Sequence, residues 1–135
     1  MKTVTQWKGG MNFSSQYESH EISLSGDVNP DGTRVAYSPK SLLLSGLAGC
    51  SGIDVVEILT KMKVPFSRLE IVADAEQVEE HPRVFQDISI EYRVDAPAEA
   101  EEKVLRAIQL SLEKYCGVAA MLGKGRKIIP SLTLL

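Results

Sequence analysis

The chain has 135 residues, and its 15 Lys plus Arg against 18 Asp plus Glu give a formal net charge of −3. This length predicts one compact domain over residues 1–135. Hydrophobic residues make up 44% and charged residues 24%, a composition that argues against extended disorder. The slightly acidic balance argues against a nucleic-acid partner, which would need a basic surface, and the cations Lys124, Arg126 and Lys127 indicate a solvated turn.

No membrane segment is predicted. The longest unbroken apolar run, residues 118–122, is far shorter than the roughly 20 residues that a spanning helix needs. The apolar stretch 41–59 has a helical length, but Asp54, Glu57 and glycines interrupt it. The first residues lack the hydrophobic core of a signal peptide, so a cytoplasmic location is expected.

The N-terminal third predicts three antiparallel strands, over residues 3–7, 11–17 and 20–24. The intervening turns are expected at Gly9-Gly10 and at Glu18-Ser19. Residues 26–33 predict a loop, because their Asn-Pro-Asp-Gly core combines a fixed φ with a residue that adopts positive φ.

A long helix is then expected from Ser38, an N-cap hydroxyl placed before Pro39, to about Lys63, where Pro65 ends it. Between residues 45 and 52 almost every side chain is small, and three positions are glycine. A helical glycine costs about 1 kcal/mol relative to alanine. We therefore expect a central, buried helix that another backbone approaches closely.

Two alternating strands follow, joined by a turn at residues 80–83. One places Leu69, Ile71, Ala73 and Ala75 on a single face, and the other does the same with Ile88, Ile90, Tyr92 and Val94. A second helix begins near Pro97, and its predicted apolar stripe is Leu105, Ile108, Leu112, Cys116 and Ala119. With a last strand over residues 128–134, the order is βββ-α-ββ-α-β, which predicts an α+β fold.

The two cysteines, Cys50 and Cys116, stand on the two predicted helices and point towards one interior. If those helices pack together, the sulfur atoms come within disulfide range. Buried cysteines also serve as small core hydrophobes, so the residues alone leave both interpretations open. Zinc is not expected, because no two of the cysteines and the histidines His20 and His81 have the short spacing typical of zinc ligands.

Three segments resemble the OsmC/Ohr family, in a divergent OsmC-like branch. Residues 38–54, SPKSLLLSGLAGCSGID, look like the first cysteine motif, and residues 112–118, LEKYCGV, look like the second. The hairpin segment HPRVF at residues 81–85 fits the family's layout between them. The resemblance extends over nearly the whole chain.

The resemblance implies an entwined homodimer, with antiparallel sheets drawn from both chains around buried central helices. It also implies a thiol-dependent peroxidase that acts on organic hydroperoxides. Cys50 would be the peroxidatic nucleophile and Cys116 the resolving cysteine. No bound cofactor is implied, and the reductant would be an external dithiol of the lipoyl type.

One departure from the family pattern concerns the activation of Cys50. Well-studied members carry a glutamate shortly after the motif proline, paired with an N-terminal arginine. This chain has Lys40 and Ser41 there, and its first arginine is Arg34. Because Cys50 lies about three turns inside its helix, the helix dipole supports its thiolate weakly. Arg34 and Lys40 are therefore the candidate activating cations.

Two other functions stay open at this point. The first is a non-enzymatic OsmC-like dimer that binds a hydrophobic small molecule in a pocket at its interface, which the missing glutamate favours. The second is a structural dimer regulated by the disulfide. Retention of both cysteines favours the peroxidase.

Overall fold

The computed structural model of the protein describes all residues, 1–135, and the chain divides into two compact units, Met1–Leu43 and Leu44–Leu135. Helix α1 (Pro39–Lys61) begins in the first unit and ends in the second. The assignment of residues 1–135 to a single domain stays a prediction.

The first unit carries a three-stranded antiparallel sheet in the order β1-β2-β3. Its strands are β1 (Val4–Trp7), β2 (Asn12–Tyr17) and β3 (His20–Ser25). The turn between β1 and β2 places Gly9 at φ 98° and Gly10 at φ 56°, a conformation that glycine adopts without steric cost. The three predicted strands and their turns are confirmed.

Helix α1 begins as its sequence predicts. The Ser38 Oγ accepts the backbone N–H of Ser41 at 3.2 Å, which satisfies one of the unpaired donors of the first turn. The helix ends at Lys61, slightly before the predicted Lys63, which itself adopts a left-handed φ of 57°.

The second unit contains the other sheet, in the order β4-β5-β6. Its strands are β4 (Arg68–Gln77), β5 (Phe85–Asp95) and β6 (Ile128–Leu134). Strands β4 and β5 pair antiparallel, but β6 pairs parallel to β5, with Tyr92 opposite Leu132. The expectation of antiparallel sheets is therefore wrong for β6, because the helices between β5 and β6 form a crossover that returns the chain in the same direction.

The predicted second helix is interrupted. A short 3₁₀ turn (Ala98–Ala100) leads into α2 (Glu101–Leu110), a π-helical turn (Ser111–Tyr115) follows, and α3 (Gly117–Leu122) completes the segment. The predicted stripe is confirmed at Ile108, Cys116 and Ala119, which are buried, but its first position is wrong. The buried residues of α2 and the π-helical turn are Val104, Ala107, Ile108 and Ser111, whereas Leu105 is exposed. Ser111 is polar, so the apolar pattern does not predict its burial.

The core of the second unit lies between one face of its sheet and the helices. The predicted inward face of β5 is confirmed, since Ile88, Ile90, Tyr92 and Val94 are fully buried. Helix α1 contributes its own buried side chains to that core: Leu47, Val55 and Leu59. The α+β class and the element order are confirmed.

Helix α1 is also long and apolar enough to cross a membrane when only length and composition are considered, with a mean hydropathy of 1.7. The core helix of a soluble protein passes the same test. The packing of Leu47, Val55 and Leu59 against the sheet of the second unit is that of a core helix.

Candidate functional site

Cys50 lies in the middle of α1, and most of its neighbours in the sequence have small side chains or none. Its side chain is half-buried and packs against the core of the second unit. On the neighbouring turn, a Cβ added to Gly52 would lie 3.0 Å from the Ile71 Cδ1 atom. Part of the close packing predicted for the glycine-rich segment is therefore supplied by β4.

Cys116 is positioned by the π-helical turn. Its backbone N–H donates to the carbonyl of Ser111 at 2.7 Å, and its backbone then turns extended, with φ −77° and ψ 103°. The Cys116 Sγ accepts the N–H of Ala119 at 3.3 Å and so caps α3. Only 3% of the residue is exposed. A π-helical turn inside a helical segment is frequently found at functional sites.

The structure brings the two thiols together. Cys50 and Cys116 are both free cysteines, and Cys50 lies close enough to Cys116 to influence its pKa. Burial raises the pKa of Cys116 to about 11, and the neighbouring Cys50 and the charge of Asp54 act in the same direction. Cys116 therefore remains a neutral thiol at physiological pH.

A chain of buried hydroxyl groups runs beside the two cysteines. The Ser51 Oγ lies 2.5 Å from the Tyr92 hydroxyl and 2.8 Å from the Ser111 Oγ. The Ser111 hydroxyl donates to the Asp54 carboxylate at 3.0 Å. Tyr92, Ser51 and Ser111 are fully buried, and no buried side-chain polar atom is left without a partner.

Which hydroxyl donates in each hydrogen bond of this chain follows from the Asp54 carboxylate at its end. An ionised carboxylate only accepts, and a serine hydroxyl has one hydrogen, so Ser111 uses its hydrogen on Asp54. Ser51 must then donate to Ser111, and Tyr92 must donate to Ser51. Every donor points towards Asp54, which is half-buried and lines a cleft of about 390 Å³ together with Glu57, Lys61 and Tyr115.

The four side chains of the hydroxyl chain are not predicted as site residues by the sequence: Tyr92, Ser51, Ser111 and Asp54. In the sequence, Asp54 stands out only as a charge that interrupts the apolar stretch 41–59. Ser51 and Ser111 each have a signal in the sequence. Ser51 directly follows the first cysteine, and Ser111 interrupts the apolar stripe of the second helix. Tyr92 is predicted only as a member of one face of β5, and its ring lies in the core.

The two predicted activating cations belong to the first unit. Arg34 lies in the exposed loop before α1, where its carbonyl accepts the Asn29 side-chain amide at 3.4 Å. Lys40 is half-buried in the first turn of α1. Their role in activating Cys50 stays a prediction.

A family comparison identifies the group of proteins to which this arrangement belongs. The family model described as OsmC-like protein matches residues 18–130, a range that includes both cysteines and the buried hydroxyl chain. The chain belongs to the OsmC family. The family resemblance noted in the sequence is thereby confirmed, and OsmC proteins are soluble, which agrees with α1 as a core helix.

Individual relatives cover nearly the whole OsmC chain. Protein YhfA of Escherichia coli K12 is 36% identical over 132 residues, which are 97% of this chain and 96% of YhfA. A crystal structure of an OsmC like protein from Mycoplasma pneumoniae matches with a TM-score of 0.85 at 16% identity, over 99% and 96% of the two chains. The organic hydroperoxide resistance protein OhrB of Bacillus subtilis matches with a TM-score of 0.65 at 16% identity, over 98% and 96%.

Proposed function

We propose that this OsmC protein is a thiol-dependent peroxidase that reduces organic hydroperoxides through Cys50 and Cys116. The observation that supports this most directly is the proximity of two thiols that lie far apart in the chain, since Cys50 is close enough to raise the pKa of Cys116. The similarity to a protein named for organic hydroperoxide resistance supports the choice of substrate class. A cytoplasmic location would keep both cysteines reduced between turnovers.

The two cysteines have different environments, which suit different roles. Cys116 is nearly fully buried, and with its pKa raised to about 11 it is almost entirely a thiol at neutral pH. Cys50 is half-buried and therefore more accessible to a small substrate. Cys50 is the peroxidatic residue in this proposal, and Arg34 and Lys40 are the cations proposed to stabilise its thiolate.

The proposed cycle balances in three steps. The Cys50 thiolate attacks the peroxide oxygen, so that an S–O bond forms, the O–O bond breaks and an alcohol leaves after protonation. The Cys116 sulfur then attacks Cys50, forming the disulfide and releasing water. An external dithiol, of the lipoyl type, reduces the disulfide by two exchange steps and is itself oxidised to a disulfide.

Adding one equivalent of cumene hydroperoxide to the reduced protein is expected to convert both thiols into an intramolecular disulfide, because Cys50 lies close enough to Cys116 to raise its pKa. Alkylation with N-ethylmaleimide followed by mass spectrometry would show the loss of two reactive thiols per chain. Dihydrolipoamide should restore them. Two thiols that still alkylate after hydroperoxide treatment would reject the peroxidase.

We also propose that the working unit is a homodimer. In the first unit, Trp7, Phe13 and Ile22 remain exposed on its sheet. In the second unit, Ile53 of α1 is 70% exposed, and a Cβ added at Gly46 or Gly49 would meet nothing within 4 Å. Unfilled space beside helical glycines and exposed apolar side chains fit a face that a second copy covers.

Gly49→Ala is expected to weaken this dimer, because the added methyl group would occupy space that the second chain needs. On a helix face that no second chain covers, the same change stabilises the helix by about 1 kcal/mol. Sedimentation velocity over a concentration series would separate the two results. Gly117→Ala is the matched control, since that helical glycine also has open space around it. A Gly49→Ala protein that dimerises like the wild type would contradict the proposed interface.

A further inference from the structure

The buried hydroxyl chain connects the two structural elements that carry the cysteines. Ser51 directly follows Cys50 on α1, and Asp54 lies one turn further along the same helix. Ser111 opens the π-helical turn that ends at Cys116. The hydrogen bonds from Ser51 and to Asp54, at 2.8 Å and 3.0 Å, therefore fasten this turn to α1 at two points.

Ser111 also holds Cys116 through its backbone. Its carbonyl accepts the Cys116 N–H at 2.7 Å, the closing bond of the π-helical turn. The side chain of Ser111 is therefore bonded to α1, which carries Cys50, and its backbone is bonded to Cys116. Tyr92 extends the connection to β5 in the middle of the sheet, where its ring is fully buried.

A polar chain of this kind is not needed to fill the core. Apolar residues of similar size would avoid the cost of burying three hydroxyl groups, which is offset only because each one finds a partner. The hydroxyl chain joins helix α1, which carries Cys50, to the π-helical turn that leads to Cys116.

We propose that Ser51, Ser111 and Asp54 are positioning residues that set how readily Cys50 and Cys116 form their disulfide, by fixing the π-helical turn to helix α1. This inference rests on the proposed function for its biological meaning. Its chemistry can be measured without hydroperoxide. With oxidised dithiothreitol, two protein thiols become one protein disulfide, and the dithiothreitol disulfide takes up both electrons and both protons.

Ser111→Ala is expected to make the protein disulfide about tenfold less stable against dithiothreitol, which raises its midpoint potential by about 30 mV. The turn that carries Cys116 then loses both side-chain hydrogen bonds to α1, so the two thiols spend less time in bonding geometry. Full-length protein would be equilibrated in reduced and oxidised dithiothreitol mixtures, and the disulfide fraction would be read by alkylation and mass spectrometry.

Three variants make this test specific. Ser111→Thr keeps the hydroxyl and is expected to restore most of the wild-type potential. Ser67→Ala is the matched control, because the Ser67 hydroxyl also donates to a carboxylate, that of Asp95 at 2.7 Å, but at an exposed site. Asp54→Ala removes the acceptor from a half-exposed position and is expected to shift the potential in the same direction as Ser111→Ala.

A Ser111→Ala potential equal to that of Ser67→Ala, or a Ser111→Thr potential equal to that of Ser111→Ala, would overturn the inference. If Ser111→Ala does not fold, Asp54→Ala decides the question by the same measurement. A wild-type protein that forms the disulfide in dithiothreitol but ignores hydroperoxide would reject the peroxidase and leave the positioning role standing. A protein that forms no disulfide under either condition would reject both.

Discussion

Cys50→Ser is expected to abolish dithiol-driven consumption of organic hydroperoxide, with a loss of at least about a hundredfold in steady-state rate. A serine hydroxyl is not ionised at neutral pH and cannot take the oxygen of a peroxide as a sulfur atom does. Cys116 cannot replace Cys50, because it is 3% exposed and its pKa is raised to about 11. Coupled consumption of cumene hydroperoxide with dihydrolipoamide would measure the loss.

Cys116→Ser provides the companion result. Cys50 keeps its reaction with one hydroperoxide molecule, but no neighbouring thiol displaces the hydroxyl group from the resulting sulfenic acid. We expect one equivalent of alcohol per chain, a sulfenic acid that dimedone traps, and no sustained turnover. Ser67→Ala would show that a substitution in this unit does not itself abolish activity. Unchanged hydroperoxide consumption by Cys50→Ser would reject the peroxidase and favour a dimer that binds a hydrophobic ligand.

Much of this site follows from the sequence because its signals are local. Alternating apolar residues identify β5, the Ser38-Pro39 pair identifies the start of α1, and glycines around Cys50 indicate close packing. The pairing of Cys50 with Cys116 could not be predicted from local signals alone, since two cysteines on apolar faces are equally compatible with core packing. The family resemblance favoured the redox pair, and the proximity of the two thiols agrees with it.

The missed features are those that depend on long-range packing. The π-helical turn arises where Ser111 is fastened to Asp54 and Ser51, and the sequence near Ser111 contains no helix-breaking residue before Cys116. The hydroxyl chain joins residues from α1, β5 and the π-helical turn, so no spacing within one segment reveals it. Parallel pairing of β6 likewise depends on where the preceding helices return the chain.

The stability of the protein is expected to fall as the pH rises above 9. Burial raises the pKa of Cys116 from 9.0 to about 11, and burial likewise raises the pKa of Tyr92 from 10.0 to about 12. The folded state therefore holds these two protons more tightly than the unfolded state does. Their contribution is fully present below the unfolded pKa values and is lost as the pH passes from 9 to about 12.

Each of these groups is expected to account for about 2 kcal/mol of the loss in the free energy of unfolding. Urea unfolding at one protein concentration, repeated at closely spaced pH values from 8 to about 12, would measure the slope. Tyr92→Phe should be less stable at pH 8 by about 1 kcal/mol, since it loses the hydrogen bond to Ser51, but its curve should fall less steeply above pH 10.

The slope of the free energy of unfolding against pH, compared between the wild type and Tyr92→Phe, separates titration of the buried tyrosine from a general effect of alkali. Tyr17→Phe removes a hydroxyl from an exposed tyrosine and is expected to follow the wild-type curve. If Tyr92→Phe falls as steeply as the wild type, the buried phenol contributes nothing to the pH dependence. Because ionised Tyr92 can only accept a hydrogen bond, Ser51 would have to turn its hydrogen from Ser111 towards Tyr92, which disrupts the chain that ends at Asp54. Alkaline destabilisation would then begin beside Cys50, and its expected local sign is that alkylation of Cys116 rises more steeply with pH in the wild type than in Tyr92→Phe.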